Sequence, residues 1–132
     1  MNLFQQAFAW LFDAARFEGT NAIQVRLAEH LVFTFLSVLI AAAIAIPIGY
    51  FIGHTGKGRE VAIALSGAAR ALPSFGLILL LVLLIGVTQK PLAASIAFVL
   101  LAIPSILAGA YTGLEAIDKR TIDAARGVGM TE

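Results

Sequence analysis

The sequence predicts an all-α membrane protein, a polytopic bundle of helices. Its composition is the first reason. Of 132 residues, 60% are hydrophobic and only 13% are charged. A soluble domain has about 25% charged and 45–50% apolar residues. The second reason is a set of long stretches without a charge, at about 31–52, 71–87 and 92–114. Runs of this kind approach the ~20 apolar residues needed to cross ~30 Å of hydrocarbon. The third is that every charge lies outside those stretches, in the segments before, between and after them. A formal net charge of +1 gives no basic surface for nucleic acid, so no nucleic-acid partner is expected. The absence of cysteine removes disulfides, thiolate chemistry and cysteine metal sites. Residues 1–15 hold no Lys or Arg, so a secretory signal peptide is not expected.

Residues 3–16 have helical periodicity. Leu3, Phe4, Ala7, Phe8, Leu11 and Phe12 recur on one face, and Trp10 adds an aromatic anchor. The pattern predicts an interfacial helix lying on the membrane surface, within an N-terminal segment 1–20. Glu18-Gly19-Thr20 breaks it. Asn21 with Gln24 predicts a capping box for the next helix.

That next helix opens the transmembrane domain, 21–114. The uncharged run Leu31–Ile52 is its first span, with Pro47 placed to kink it. Gly49 and Gly53 form a G-x-x-x-G pair, which either lets a neighbouring helix pack closely or is a chance spacing in a glycine-bearing span. Residues 53–60 then form a polar, glycine-rich loop. Its Gly56-Lys57 is not a phosphate loop, because position 51 is Phe and position 58 is Gly.

The run 71–87 is shorter. Pro73 disfavours a helical Leu72, so a break is expected between 70 and 74. Arg70 is read as an interfacial anchor whose charge snorkels to the surface, with a polar path or a partner contact as the alternative. Gln89-Lys90-Pro91 is a turn with Pro91 at a helix start. The third span, Leu92–Leu114, contains Pro104, which should bend it, and a second G-x-x-x-G pair at Gly109 and Gly113.

The last segment, 115–132, is polar. Asp118 is the expected N-cap of a helix from Lys119, and Arg126 falls in its last turn, where the helix dipole favours a cation. Gly127 and Gly129 supply the freedom to stop and turn. Ala124 and Ala125 give a face with little side chain, which another protein surface can approach. An ordinary surface helix with a glycine cap is the plain alternative.

Short loops assign the sides. Lys57, Arg59, Lys119, Arg120 and Arg126 lie on one side of a three-span arrangement, and the fewer Arg16, Arg26 and Lys90 on the other. The richer side is cytoplasmic. That puts 53–60 and 115–132 in the cytoplasm and the N-terminus outside.

The string Asp123-Ala124-Ala125-Arg126-Gly127-Val128-Gly129-Met130-Thr131 resembles the cytoplasmic coupling ("EAA") loop of bacterial ABC importer permeases, with Asp123 where the family usually has Glu. Glu29-His30-Leu31, Leu72-Pro73-Ser74 and Ala110-Tyr111-Thr112-Gly113-Leu114 extend the likeness over roughly residues 25 to 132, toward the glycine betaine, carnitine and choline branch. The resemblance implies a type I importer permease in the bacterial cytoplasmic membrane. It implies an ABC ATPase subunit, an extracytoplasmic substrate-binding protein and a second permease subunit as partners, within a lipid bilayer. It implies alternating access, with Asp123, Ala124, Ala125 and Gly129 as the ATPase-coupling surface. Phe75 and Tyr111 are the nearest candidates for cavity-lining aromatics, with packing as the ordinary role for both. The family's pattern continues with a later Ile-x-Leu-Pro and further spans, so the chain resembles the N-terminal part of such a permease.

Enzymatic activity is not expected, and no catalytic, cofactor or metal residues are assigned. Another type I importer, for methionine or other amino acids, shares the same coupling core. A secondary transporter or channel is a weaker alternative, since the three uncharged runs hold no Asp, Glu, His, Lys or Arg for ion coupling.

Overall fold

A computed structural model describes residues 2–131. Among them there is no strand. The helices are α1 (Leu3–Leu11), α2 (Ile23–Thr55), α3 (Arg59–Ala71), α4 (Ser74–Ile85), α5 (Lys90–Glu115) and α6 (Lys119–Gly127), with short 3-10 turns at Ala14–Arg16 and Val87–Gln89. The chain divides into two compact units, Met1–Leu36 and Ser37–Glu132.

In the first unit, α1 carries the capping box that the sequence suggested for Asn21 and Gln24. The Asn2 side chain accepts from the Gln5 backbone N–H at 2.9 Å, and the Gln5 side chain accepts from the Asn2 N–H at 3.2 Å. At the expected place the partners are otherwise engaged. Asn21 accepts from the Arg26 guanidinium, and Gln24 Nε2 donates to the Phe17 carbonyl at 2.7 Å. α1 also stops earlier than its periodicity suggests. The Asp13 carboxylate accepts from the Ala15 N–H at 3.1 Å and starts a new 3-10 turn instead.

The second unit is packed through small residues. Ser37, Ala41, Ala45 and Gly49 form a buried stripe along α2, and Ala93 and Ala97 are fully buried on α5. Large side chains such as Leu39, Phe51 and Leu83 point outward. Small residues inside and large apolar ones outside is the pattern of helices that associate in lipid, where backbone approach rather than hydrophobic burial drives packing.

Gly49 and Gly53 show that packing directly. A Cβ at 49 would lie 2.5 Å from the Ala110 Cβ and 3.0 Å from the Leu107 carbonyl oxygen. One at 53 would lie 2.9 Å from the Leu114 Cβ. This G-x-x-x-G pair is therefore a contact. The second pair is not: a Cβ at Gly109 or Gly113 meets nothing within 4 Å. Because 49 faces 107–111 and 53 faces 111–114, the C-terminal half of α2 and that of α5 run parallel. Both helices stay unbroken through Pro47 and Pro104.

Parallel neighbours force the intervening chain to return along their length. α3 and α4 make that return, and both pack on α5. Ala62 of α3 joins Ala45, Ile52, Leu107 and Tyr111 in one apolar cluster. The chain breaks where Pro73 predicts it, between Ala71 and Ser74, with Leu72 extended at ψ 130 and an 88° bend between α3 and α4. α4 itself has 12 residues, about 18 Å of helix, which is short of a full crossing. Among the described residues, two helices are long and apolar enough to cross a membrane, or up to three spans if the bent pair counts as one.

Candidate functional site

α6 and the ends of α2 and α5 meet at one end of the second unit. Asp118 begins α6 as the sequence predicts, its carboxylate accepting from the Arg120 N–H at 3.0 Å. That bond satisfies one of the N–H groups a helix start leaves unpaired. Arg126 sits in the last turn.

The helix ends in a six-residue cap. Met130 N–H donates to the Ala125 carbonyl at 3.1 Å and Gly129 N–H to the Arg126 carbonyl at 3.0 Å. Gly129 stands at φ +86, the left-handed position this pattern requires. Gly127 is within the helix and does not share that backbone. Of the two glycines, only Gly129 turns the chain.

Beneath α6 is a groove of about 560 Å³. Gly53 and His54 of α2, Leu114 of α5 and Ile117 form one wall, and Thr121, Ile122, Ala125 and Arg126 of α6 form the other. This arrangement divides the sequence-predicted coupling residues. Ala125 is half-buried and lines the groove, facing its own chain. Asp123 and Ala124 are exposed on other faces of α6. Gly129 forms the cap that orders the C-terminal end.

The two aromatic candidates are separated by environment. Tyr111 is 7% exposed within the apolar cluster of α2, α3 and α5. Phe75 is 77% exposed in the first turn of α4.

One feature at this end of the unit escaped the sequence. Arg59 at the start of α3 pairs with Glu115 at the end of α5, 3.2 Å apart. The pair straps the α2–α3 connection, which turns through Gly56 and Gly58 at φ +69 and +81, to the root of the α6 segment. Opposite charges at two connections were the available signal, but their separation in sequence hides the pairing.

The chain is similar to curated permease proteins of bacterial transport systems. It is 27% identical to the choline transport system permease protein OpuBB of Bacillus subtilis over 103 residues, 78% of this chain and 46% of that protein. It is 28% identical to the glycine betaine/carnitine/choline transport system permease protein OpuCB of the same organism, with the same coverage of 78% and 46%. It is 27% identical to the carnitine transport permease protein OpuCB of Listeria monocytogenes over 114 residues, 86% of this chain and 51% of that protein. The chain thus spans about half the length of the curated relatives it matches. No protein-family model matches it, and no solved structure does.

Proposed function

We propose that this chain is part of the permease subunit of a type I ABC importer for compatible solutes such as choline, carnitine or glycine betaine. The observation that carries the reading is the likeness to permeases of such systems over more than three quarters of the chain. The capped, solvent-facing helix α6 at the foot of the bundle supports it.

The chain crosses the bacterial cytoplasmic membrane three times, through α2, the bent pair α3–α4, and α5. The parallel course of α2 and α5 supports this count, because the chain between them has to return to the opposite end. The Arg59–Glu115 pair supports a common side for the α2–α3 connection and the α6 segment. The basic residues at 57, 59, 119, 120 and 126 support a cytoplasmic side for both, with the N-terminus outside.

The faces of α6 support a coupling role. Asp123 and Ala124 are the outward contacts for an ABC ATPase subunit. The small alanine permits close approach, and the acid supplies a charge at its edge. Ala125 lets α6 sit close to its own bundle, and Gly129 fixes the end of the helix. When two ATPase subunits close on ATP, movement of α6 passes to α2 and α5 through the groove and the Arg59–Glu115 strap. ATP hydrolysis stays in the partner. An extracytoplasmic binding protein delivers the solute, and a second permease subunit completes the path. Tyr111 packs the bundle, while exposed Phe75 is the aromatic available to the path, where a quaternary ammonium is attracted to a ring face.

Uptake of radiolabelled choline, carnitine and glycine betaine tests the proposal in cells lacking other importers for these solutes. ATPase-dependent uptake of at least one is expected. Uptake of none, with the protein inserted, overturns the substrate class.

A further inference from the structure

The first unit contains a helix whose large apolar side chains are exposed. No residue of α1 is buried. Leu3, Phe4, Phe8, Leu11 and Phe12 form one broad exposed face, and the Phe8 and Phe12 rings stack at 6.4 Å. Gln5 and Gln6 make the narrow polar strip opposite, and no charge appears before Asp13.

We propose that α1 and the turn after it form a membrane-surface anchor, with α1 lying in the boundary between headgroups and acyl chains and Trp10 at headgroup level. The proposal rests on α2 being a membrane span.

Length selects the orientation. Nine residues give about 14 Å of helix, less than half the hydrocarbon thickness, so α1 cannot cross. Helices shorter than about 12–15 residues are marginal in water. A helix this short and this apolar is ordered by a surface that takes its whole face, and a bilayer offers one without a matching protein groove. Continuity selects the occupant. α2, a candidate span of 33 residues, begins at Ile23, so α1 is tethered beside the membrane that α2 enters.

The tether is built rather than loose. Arg16 lies over the Trp10 ring, 4.6 Å from its centroid, which places a cation beside the amphipathic aromatic of this segment. Gly19 turns the chain at φ +83. Gln24 holds the Phe17 carbonyl at 2.7 Å, and Arg26 bridges Asn21 and Glu29. These bonds fix the return of the chain from α1 into α2. Trp and Arg together at such a turn suit the headgroup layer, where an apolar body and a polar edge are both satisfied.

Trp10 is the chain's one tryptophan, and the chain has no cysteine, so two positions can be read separately. The protein, in its native assembly, is reconstituted in phosphatidylcholine vesicles brominated either near the headgroup or near the bilayer centre. The Trp10 signal is the difference between this protein and Trp10→Phe. A bimane on Leu39→Cys, on the exposed face of α2, reports insertion of the span. The proposal expects loss of Trp10 fluorescence with shallow bromine, little loss with deep bromine or aqueous iodide, and loss of bimane fluorescence with deep bromine. Phe8→Glu combined with Phe12→Glu should abolish the shallow quenching. Quenching of Trp10 by iodide alone places α1 in water. Quenching by none of the three agents places it against protein, a second copy or a partner. Deep quenching places it in the bilayer core. Each of these outcomes, with Leu39 in lipid, overturns the anchor alone. Failure of Leu39 to meet lipid overturns the membrane reading on which the anchor rests.

Discussion

Gly49 of α2 lies against Ala110 of α5 so closely that a single added methyl group would come within 2.5 Å of the alanine Cβ. The nearest backbone atom, the Leu107 carbonyl oxygen, would be 3.0 Å away and has no side chain's freedom to move aside. Position 49 therefore sets the distance between two parallel helices.

Gly49→Ala should push α2 and α5 apart and cost about 1–3 kcal/mol, the usual penalty for overpacking. Gly109→Ala, in open space on the same helix pair's second glycine motif, should be neutral or stabilising by about 0.5–1 kcal/mol through helix propensity. Reversible unfolding in detergent, followed by circular dichroism, compares the two. Equal effects at both positions would contradict the packing described here.

Gly129→Ala should destabilise the end of α6 by about 1–2 kcal/mol, because a side chain is forced into the left-handed region at φ +86. Gly127→Ala, within the helix, should not. Amide hydrogen exchange at positions 129 and 130, the two donors of the cap, reads the difference: faster exchange is expected only in the first variant.

Arg59→Glu should weaken the strap between the start of α3 and Glu115 by repulsion. Glu115→Arg in the same molecule should restore it. A double-mutant cycle should give a coupling of about 0.2–1 kcal/mol, as for other partly exposed pairs. Transport is the more sensitive readout, since the pair sits at the root of the α6 segment: the single variant should lose activity that the swapped variant regains.

Pro73→Ala removes the clash that keeps Leu72 out of the helical region. The 88° bend should open as α3 and α4 join. Spin labels at the exposed positions Leu65 and Leu80 report this as a longer distance in pulsed electron resonance.

The elements that rest on local chemistry were legible in the sequence. Asp118 marked the start of α6, and Leu72-Pro73 marked the break between α3 and α4, because both act within a turn or two. The end of α1 was misread because Asp13 opens a separate turn, which helical periodicity cannot show. The capping box was misplaced because Asn21 and Gln24 are claimed by Arg26 and Phe17, partners the spacing rule does not consider. Two G-x-x-x-G pairs looked alike, and only the fold reveals that Gly49 and Gly53 meet α5 while Gly109 and Gly113 meet nothing. At the α6 surface the sequence grouped Asp123, Ala124, Ala125 and Gly129, and the structure gives them three different situations: outward face, groove and cap. The Arg59–Glu115 pair was not legible, since nothing local joins positions so far apart along the chain.

The most direct test of the account is a cross-link from the outward face of α6. Cysteine replaces Ala124 in the protein as it occurs in the cell, and membranes are probed for a bond to the co-produced ABC ATPase subunit, with and without ATP. The account predicts a cross-link whose yield changes with ATP, and a weaker one from cysteine at Ala125, which faces its own bundle. No cross-link from position 124, with the protein inserted and the ATPase present, would contradict coupling through this helix.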